Sequence, residues 1–188
     1  MGHYIDIRVR PDPEFPASQL LAALYAKLHR ALVGLALDRV GVAFPGYAEG
    51  PPTLGQTMRL LGPTDALDAL MASDWLRGMH DHVAVAAMAP VPATSERRRL
   101  RRVQAKSSPE RLRRRQMRRH GWTEDEAKAK LPDGVAEWLD LPFLHLASGS
   151  TGQRFRLFLR LDAAQPKEPV ATRFNAYGLA QDGAIPWF

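Results

Sequence analysis

Two hydrophobic periods alternate along the first half of the chain, and this alternation restricts its fold more than any other feature. Tyr4, Asp6, Arg8 and Arg10 alternate with Ile5, Ile7 and Val9, the period-2 pattern of a strand with one buried face. After a proline loop over 11–16, Leu21, Leu24, Leu28 and Leu32 recur at helical spacing, which predicts a helix from Ser18 to about Leu32 packed on that strand. Short strands are expected at Gly41–Phe44 and Met58–Leu61. Thr64 then opens a second helix through Leu67, Leu70, Met71 and Trp75, and His82–Ala89 supplies a final strand. The order βαββαβ implies an α+β fold whose amino-terminal domain is ferredoxin-like, a split β-α-β over an antiparallel sheet.

Pro90–Thr94 marks the expected boundary, giving domains 1–94 and 95–188. The second part is a smaller α+β domain. Thr123 with Glu126 carries a capping-box signature for a short helix ending near Leu131. Strands are expected at Phe143–Leu146, Arg154–Leu161 and Arg173–Tyr177, with strand-like sequence again at Ile185–Phe188. In the longest of them Phe155, Leu157 and Leu159 share one face, and Arg154, Arg156, Phe158 and Arg160 the other.

Charge distinguishes the two parts. Twelve Lys and Arg residues and one acid, Glu110, fall between Arg97 and Arg119, so this window carries +11 of a net +6 and the rest of the chain is slightly acidic. One concentrated block points to a localised polyanion site, not to general basicity. Ser108 can cap a helix there, Pro109 suits its first position and Gly121 its carboxyl end. At about 100° per residue, Arg111, Arg114, Arg115, Arg118 and Arg119 fall within about 140° of one face. The opposite side lacks the broad apolar face of a membrane-surface helix, so nucleic acid is the favoured partner, with DNA and RNA not separated by this pattern. No apolar run reaches the roughly 18 residues of a membrane span. With no Cys there is no disulfide framework, Cys-ligated zinc or thiol nucleophile. A cytoplasmic location is expected.

Individual chemistry is less specific. His80-Asp81-His82 offers two histidines at i, i+2 but no convincing third ligand, and reads as surface or turn histidines. His29 lies about 40° beyond Tyr25, at the edge of the leucine face. It is either a boundary histidine covering the core or a general acid or base. Ser148-Gly149-Ser150-Thr151-Gly152 is a hydroxyl-rich loop that serves as a turn or holds a phosphodiester or ribose. Phe155 and Tyr177 are core aromatics by frequency, or platforms for a terminal base.

RVQAKSSPERLRRRQMRRH (Arg102–His120), LDLPF (Leu139–Phe143), STGQRFRLFLR (Ser150–Arg160) and YGL (Tyr177–Leu179) together resemble the CRISPR repeat-processing endoribonucleases of the subtype I-F system. The resemblance runs from residue 3 to the final PWF. It implies an enzyme that binds the stem-loop of CRISPR repeat RNA, cuts at the 3′ base of the hairpin without metal or other cofactor, and stays on the product. The implied products are a 2′,3′-cyclic (or 3′) phosphate and a 5′-hydroxyl. The implied catalytic residues are His29, Ser148 and Tyr177. Arg102 and Gln104 would read bases below the stem, Arg114, Arg115, Arg118 and Arg119 would lie along it, and Phe155 would stack on its terminal pair. Ser150 and Thr151 would sit near the scissile phosphate. Other Cas proteins of the same surveillance complex are the implied protein partners. Two further readings carry different consequences: a non-catalytic hairpin-binding subunit, and a basic DNA-binding regulator.

Overall fold

The computed structural model describes residues 1–104, 109–132, 139–149, 152–165 and 169–188. Its architecture is mixed α+β, with antiparallel sheets and four α-helices among the described residues. Two compact units emerge: 1–102 with 141–188, and 103–140.

The first unit is built on a sheet of β1 (His3–Val9), β2 (Gly41–Ala43), β5 (Thr57–Gly62) and β6 (Val83–Val85), in the order β2-β5-β1-β6. Between β2 and β5, β3 (Ala48–Glu49) and β4 (Pro52–Thr53) form a small hairpin. Helix α1 (Ala17–Gly34) connects β1 to β2, and α2 (Thr64–Ala72) connects β5 to β6. The periodicities explain the layering. Ile5, Ile7 and Val9 are buried on one face of β1, and α1 buries Leu21, Leu24, Leu28 and Leu32. Full burial of each such leucine contributes about 1.5–3 kcal/mol. Trp75, expected at the end of α2, follows it in a turn.

The other face of β1 holds a charge that sequence patterning did not single out. Arg59, directly across the ladder from Asp6, is almost fully buried. Its Nε and Nη2 donate to the two Asp6 carboxylate oxygens at 2.7 and 2.8 Å, and Nη1 donates to the Phe188 carbonyl at 2.5 Å. The Tyr4 and Phe188 rings flank the guanidinium, their centroids 4.6 and 3.8 Å away. A buried cation persists only when paired and hydrogen-bonded in this way, and here it ties the last strand segment to the central sheet.

Two expected strands differ. His82–Ala89 is not continuous: His80–His82 is a 3-10 turn, β6 ends at Val85, and β7 (Ala89–Pro90) pairs separately with β1. Arg173–Tyr177 is not a strand; it contributes an isolated bridge, Phe174 to Ala180, and a turn at Asn175–Gly178. Conversely, the first part of the arginine block is extended, as β8 (Glu96–Arg98) and β9 (Leu100–Val103). β8 pairs with β12 (Ile185–Trp187), and a three-stranded sheet runs β10 (Phe143–Ala147), β11 (Arg154–Leu161), β9. Phe158, placed by alternation beside the β11 arginines, is buried against Phe143, ring centroids 5.3 Å apart.

In the second unit, α3 (Pro109–His120) ends at Gly121, whose φ of 67° lets its N–H reach the Met117 carbonyl at 2.8 Å. Helix α4 (Glu124–Lys130) begins with the full capping box: Thr123 Oγ1 accepts from the Glu126 N–H, and Glu126 accepts from the Thr123 N–H. Arg113 Nε donates to the Leu131 carbonyl at 2.7 Å, joining α3 to the end of α4. Arg114, Arg115, Arg118 and Arg119 are exposed on α3. Ser108, the expected cap, lies outside the described residues. No described helix is long and apolar enough to cross a membrane.

Candidate active site

His29 sits on α1 one turn after Tyr25, at the margin of the buried leucine face. Its imidazole lies flat on the Tyr177 ring, with centroids 4.4 Å apart and planes inclined by 5°. Nδ1 is 2.6 Å from the Ala176 carbonyl oxygen. A carbonyl only accepts, so Nδ1 must carry the hydrogen, and the neutral ring then presents the lone pair of Nε2. One hydrogen bond and one stacking contact thus fix tautomer and orientation, which a general base requires.

The Asn175–Gly178 turn supplies both contacts, and the chain explains its rigidity. Asn175 Oδ1 accepts from the Tyr177 N–H at 2.9 Å and the Leu179 N–H at 3.1 Å, and the Asn175 carbonyl accepts from the Gly178 N–H at 2.8 Å. This is the turn chemistry for which Asn is favoured. Gly178 has φ 69°, and a Cβ there would meet Val42 Cγ2 at 2.6 Å. Its carbonyl also accepts from the Val42 N–H at 2.9 Å, fastening the turn to β2. Only glycine combines that conformation with so close an approach.

Tyr25 completes the support. Its hydroxyl donates to the Tyr177 carbonyl at 2.8 Å from a buried position on α1. Burial pushes the Tyr25 phenol well above its ordinary range, so it stays protonated and remains a donor. Sequence reasoning used Tyr25 only as a marker of helix phase and missed the Ala176 carbonyl. The signals were present as an i, i+4 Tyr–His pair and an Asn two residues before Tyr-Gly.

Ser148 follows β10 in the connection to β11. Its N–H donates to the Gln153 carbonyl, and its carbonyl accepts from the Gly152 N–H, both at 2.9 Å. β10 packs against α1, the helix that carries His29. Arg102, in β9, places its guanidinium 5.9 Å from the Phe155 ring centroid on β11. Gln104 is exposed in the 103–140 unit, which also holds the α3 arginines. Ser150 and Thr151 lie outside the described residues. The histidine pair at 80 and 82 has local roles: His82 Nδ1 is 2.9 Å from Asp12 Oδ2, and Asp12 also accepts from the Glu14 and Phe15 N–H groups. No group of three metal-binding side chains occurs among the described residues.

The profile of the family described as CRISPR-associated protein (Cas_Csy4) matches residues 4–188. The chain belongs to this family. A CRISPR-associated endonuclease Cas6/Csy4 from Pseudomonas aeruginosa (strain UCBPP-PA14) is 50% identical over 188 residues, the full length of both chains. Its counterpart from Escherichia coli (strain UTI89 / UPEC) is 43% identical, again over the full length of both. The Csy4 match therefore takes in both compact units, the His29–Tyr177 pair and the arginine-bearing helix.

Proposed function

We propose that the protein is a CRISPR repeat-processing endoribonuclease that binds the repeat stem-loop, cuts at its 3′ base by attack of a ribose 2′-OH, and keeps the product. The observation that carries this reading is the fixed His29 imidazole. Its Nε2 takes the 2′-OH proton, the 2′-oxygen attacks the adjacent phosphorus, and the P–O5′ bond breaks. The departing 5′-oxygen takes up a proton, leaving a 5′-hydroxyl and a 2′,3′-cyclic phosphate. The imidazolium formed in this step keeps its stacking on the Tyr177 ring and its Nδ1 hydrogen bond to the Ala176 carbonyl, so the ring holds its position through the step. Ser148 holds the 2′-OH in line, and Tyr177 positions the imidazole. Because the nucleophile belongs to the substrate, one base and accurate placement suffice, and the proposed route uses no metal.

Recognition is assigned to Arg102 and Gln104 below the stem, Phe155 against its terminal pair, the Arg114, Arg115, Arg118 and Arg119 face along it, and Ser150 and Thr151 beside the phosphate. In terms of role, residues 1–94 carry the histidine and 95–188 carry recognition. The order β2-β5-β1-β6, antiparallel throughout and crossed by α1 and α2, supports a ferredoxin-like reading of the first part. A cytoplasmic site of action and association with other Cas proteins of the subtype I-F complex belong to the same proposal.

Purified protein incubated with its host's repeat RNA should cut once, at the 3′ base of the hairpin. Tight binding without cutting would instead make it a non-catalytic hairpin-binding subunit. Preference for duplex DNA over the RNA hairpin would favour the DNA-binding regulator.

A further inference from the structure

Of the seven residues that α1 buries, only Tyr25 carries a polar side-chain atom. A phenol in a core needs a partner for its hydroxyl. The partner here is the Tyr177 carbonyl, 2.8 Å away, so the hydroxyl reaches the turn that holds the candidate base. One helical turn further along α1, His29 Nδ1 holds the neighbouring carbonyl, that of Ala176, at 2.6 Å. Side chains at i and i+4 of one helix thus grip successive carbonyls of one turn.

The consequence is geometric. Each peptide group is planar, so the Ala176 carbonyl moves with the Tyr177 N–H, and the Tyr177 carbonyl moves with the Gly178 N–H. His29 and Asn175 Oδ1 hold the first of these planes; Tyr25 and the Asn175 carbonyl hold the second. With both planes held, the backbone dihedrals of Tyr177 are fixed, and with them the direction of its Cα–Cβ bond. That bond aims the ring that lies flat on His29.

We infer that Tyr25 is a positioning residue for RNA cleavage: its hydroxyl sets the Tyr177 ring, and through that ring the His29 imidazole. The inference rests on the endoribonuclease reading. Tyr25 acts from behind the site, since it is almost fully buried and has no surface to offer a substrate. Position and tautomer are linked here. A histidine ring without partners carries its hydrogen chiefly on Nε2, whereas a base acting from Nε2 needs it on Nδ1. A turn that drifts from His29 therefore costs both the orientation of the ring and the fraction of it in the useful form.

Tyr25→Phe tests this by deleting one oxygen while keeping the ring beside Phe44, centroids 6.0 Å apart. At saturating RNA the single-turnover rate should fall about tenfold, within the loss that a misplacement of about 1 Å can cause. Hairpin affinity should stay within about twofold of wild type, the pattern of an interaction that matters only in the transition state. Nitrogen-15 NMR of the histidines, with His29 assigned by difference from His29→Ala, should show the Nδ1–H tautomer in wild type and a shift toward Nε2–H in the variant. In a His29→Ala background, Tyr25→Phe should slow the residual reaction no further. Tyr47→Phe, which deletes a hydroxyl that donates to Glu49 at 2.7 Å, should change neither rate nor tautomer.

An unchanged rate, or an equal slowing with and without His29, would overturn the inference. Affinity falling as far as the rate would make Tyr25 structural. A wild-type His29 carrying its hydrogen on Nε2 would also overturn it, and that result needs no variant. If wild type and Tyr25→Phe cut equally fast, only this inference falls; if wild type binds the hairpin without cutting, the parent reading falls with it.

Discussion

Replacing His29 with Ala lowers the single-turnover cleavage rate by about 10³-fold or more, within the range a positioned acid–base group supplies. Affinity for the repeat hairpin stays within about threefold of wild type, because the residues proposed for recognition lie elsewhere on the chain. Such a separation is expected from the geometry. His29 is half-buried at the edge of the leucine face, not inside it, so truncation removes the ring without opening the core around Leu24, Leu28 and Leu32. What disappears is one imidazole, with its hydrogen bond to the Ala176 carbonyl and its stacking contact with Tyr177. Cleavage measured at saturating RNA, with affinity from filter binding or fluorescence anisotropy, reads the two effects independently. Loss of binding together with cutting would mean that His29 is structural.

Removing exposed arginines from α3 gives the opposite separation. Arg114, Arg115, Arg118 and Arg119 all changed to Ala should reduce hairpin affinity by about 10³-fold at moderate salt, while the rate at saturating RNA survives. If each contacts one phosphate, the plot of log affinity against log salt should become shallower by about 3. Arg115→Ala or Arg119→Ala alone should each remove about one quarter of that change. The helix should tolerate these substitutions, because alanine is the best helix former and Arg113, which joins α3 to the Leu131 carbonyl, is kept. An unchanged salt slope would take this helix off the RNA.

Much of the fold was legible because local and tertiary requirements coincide. Alternation over Tyr4–Arg10 marks β1 because one face meets helices. The leucines of α1, the Thr123–Glu126 box and Gly121 after His120 each declare an element by chemistry within a few residues. Legibility failed where a distant partner decides. Arg173–Tyr177 carries polar–apolar alternation, but Asn175 bonds its own backbone and bends the chain. The arginines of β8 and β9 were legible only as charge, yet edge strands accommodate arginine, and the pairing of Glu96–Arg98 with Ile185–Trp187 spans almost half the chain. Burial of Arg59 depends on Asp6 and Phe188 together, and none of the three signals it alone.

The candidate site follows the same division. His29, Ser148 and Tyr177 came from resemblance to a family, since no spacing rule joins residue 29 to residue 177. The Ala176 carbonyl, a backbone atom, is marked in the sequence only indirectly, by the Asn175 that shapes its turn. It nevertheless determines which imidazole nitrogen can act as the base.

The most direct measurement is cleavage of the host's repeat RNA in excess EDTA, beside a matched RNA bearing a single 2′-deoxy residue before the cut. Attack by the 2′-OH through His29 predicts that the unmodified RNA is cut, with 2′,3′-cyclic phosphate and 5′-hydroxyl ends, and that the deoxy RNA is bound but stays intact. Cleavage of the deoxy RNA, or activity that disappears with EDTA and returns with a divalent cation, would contradict it.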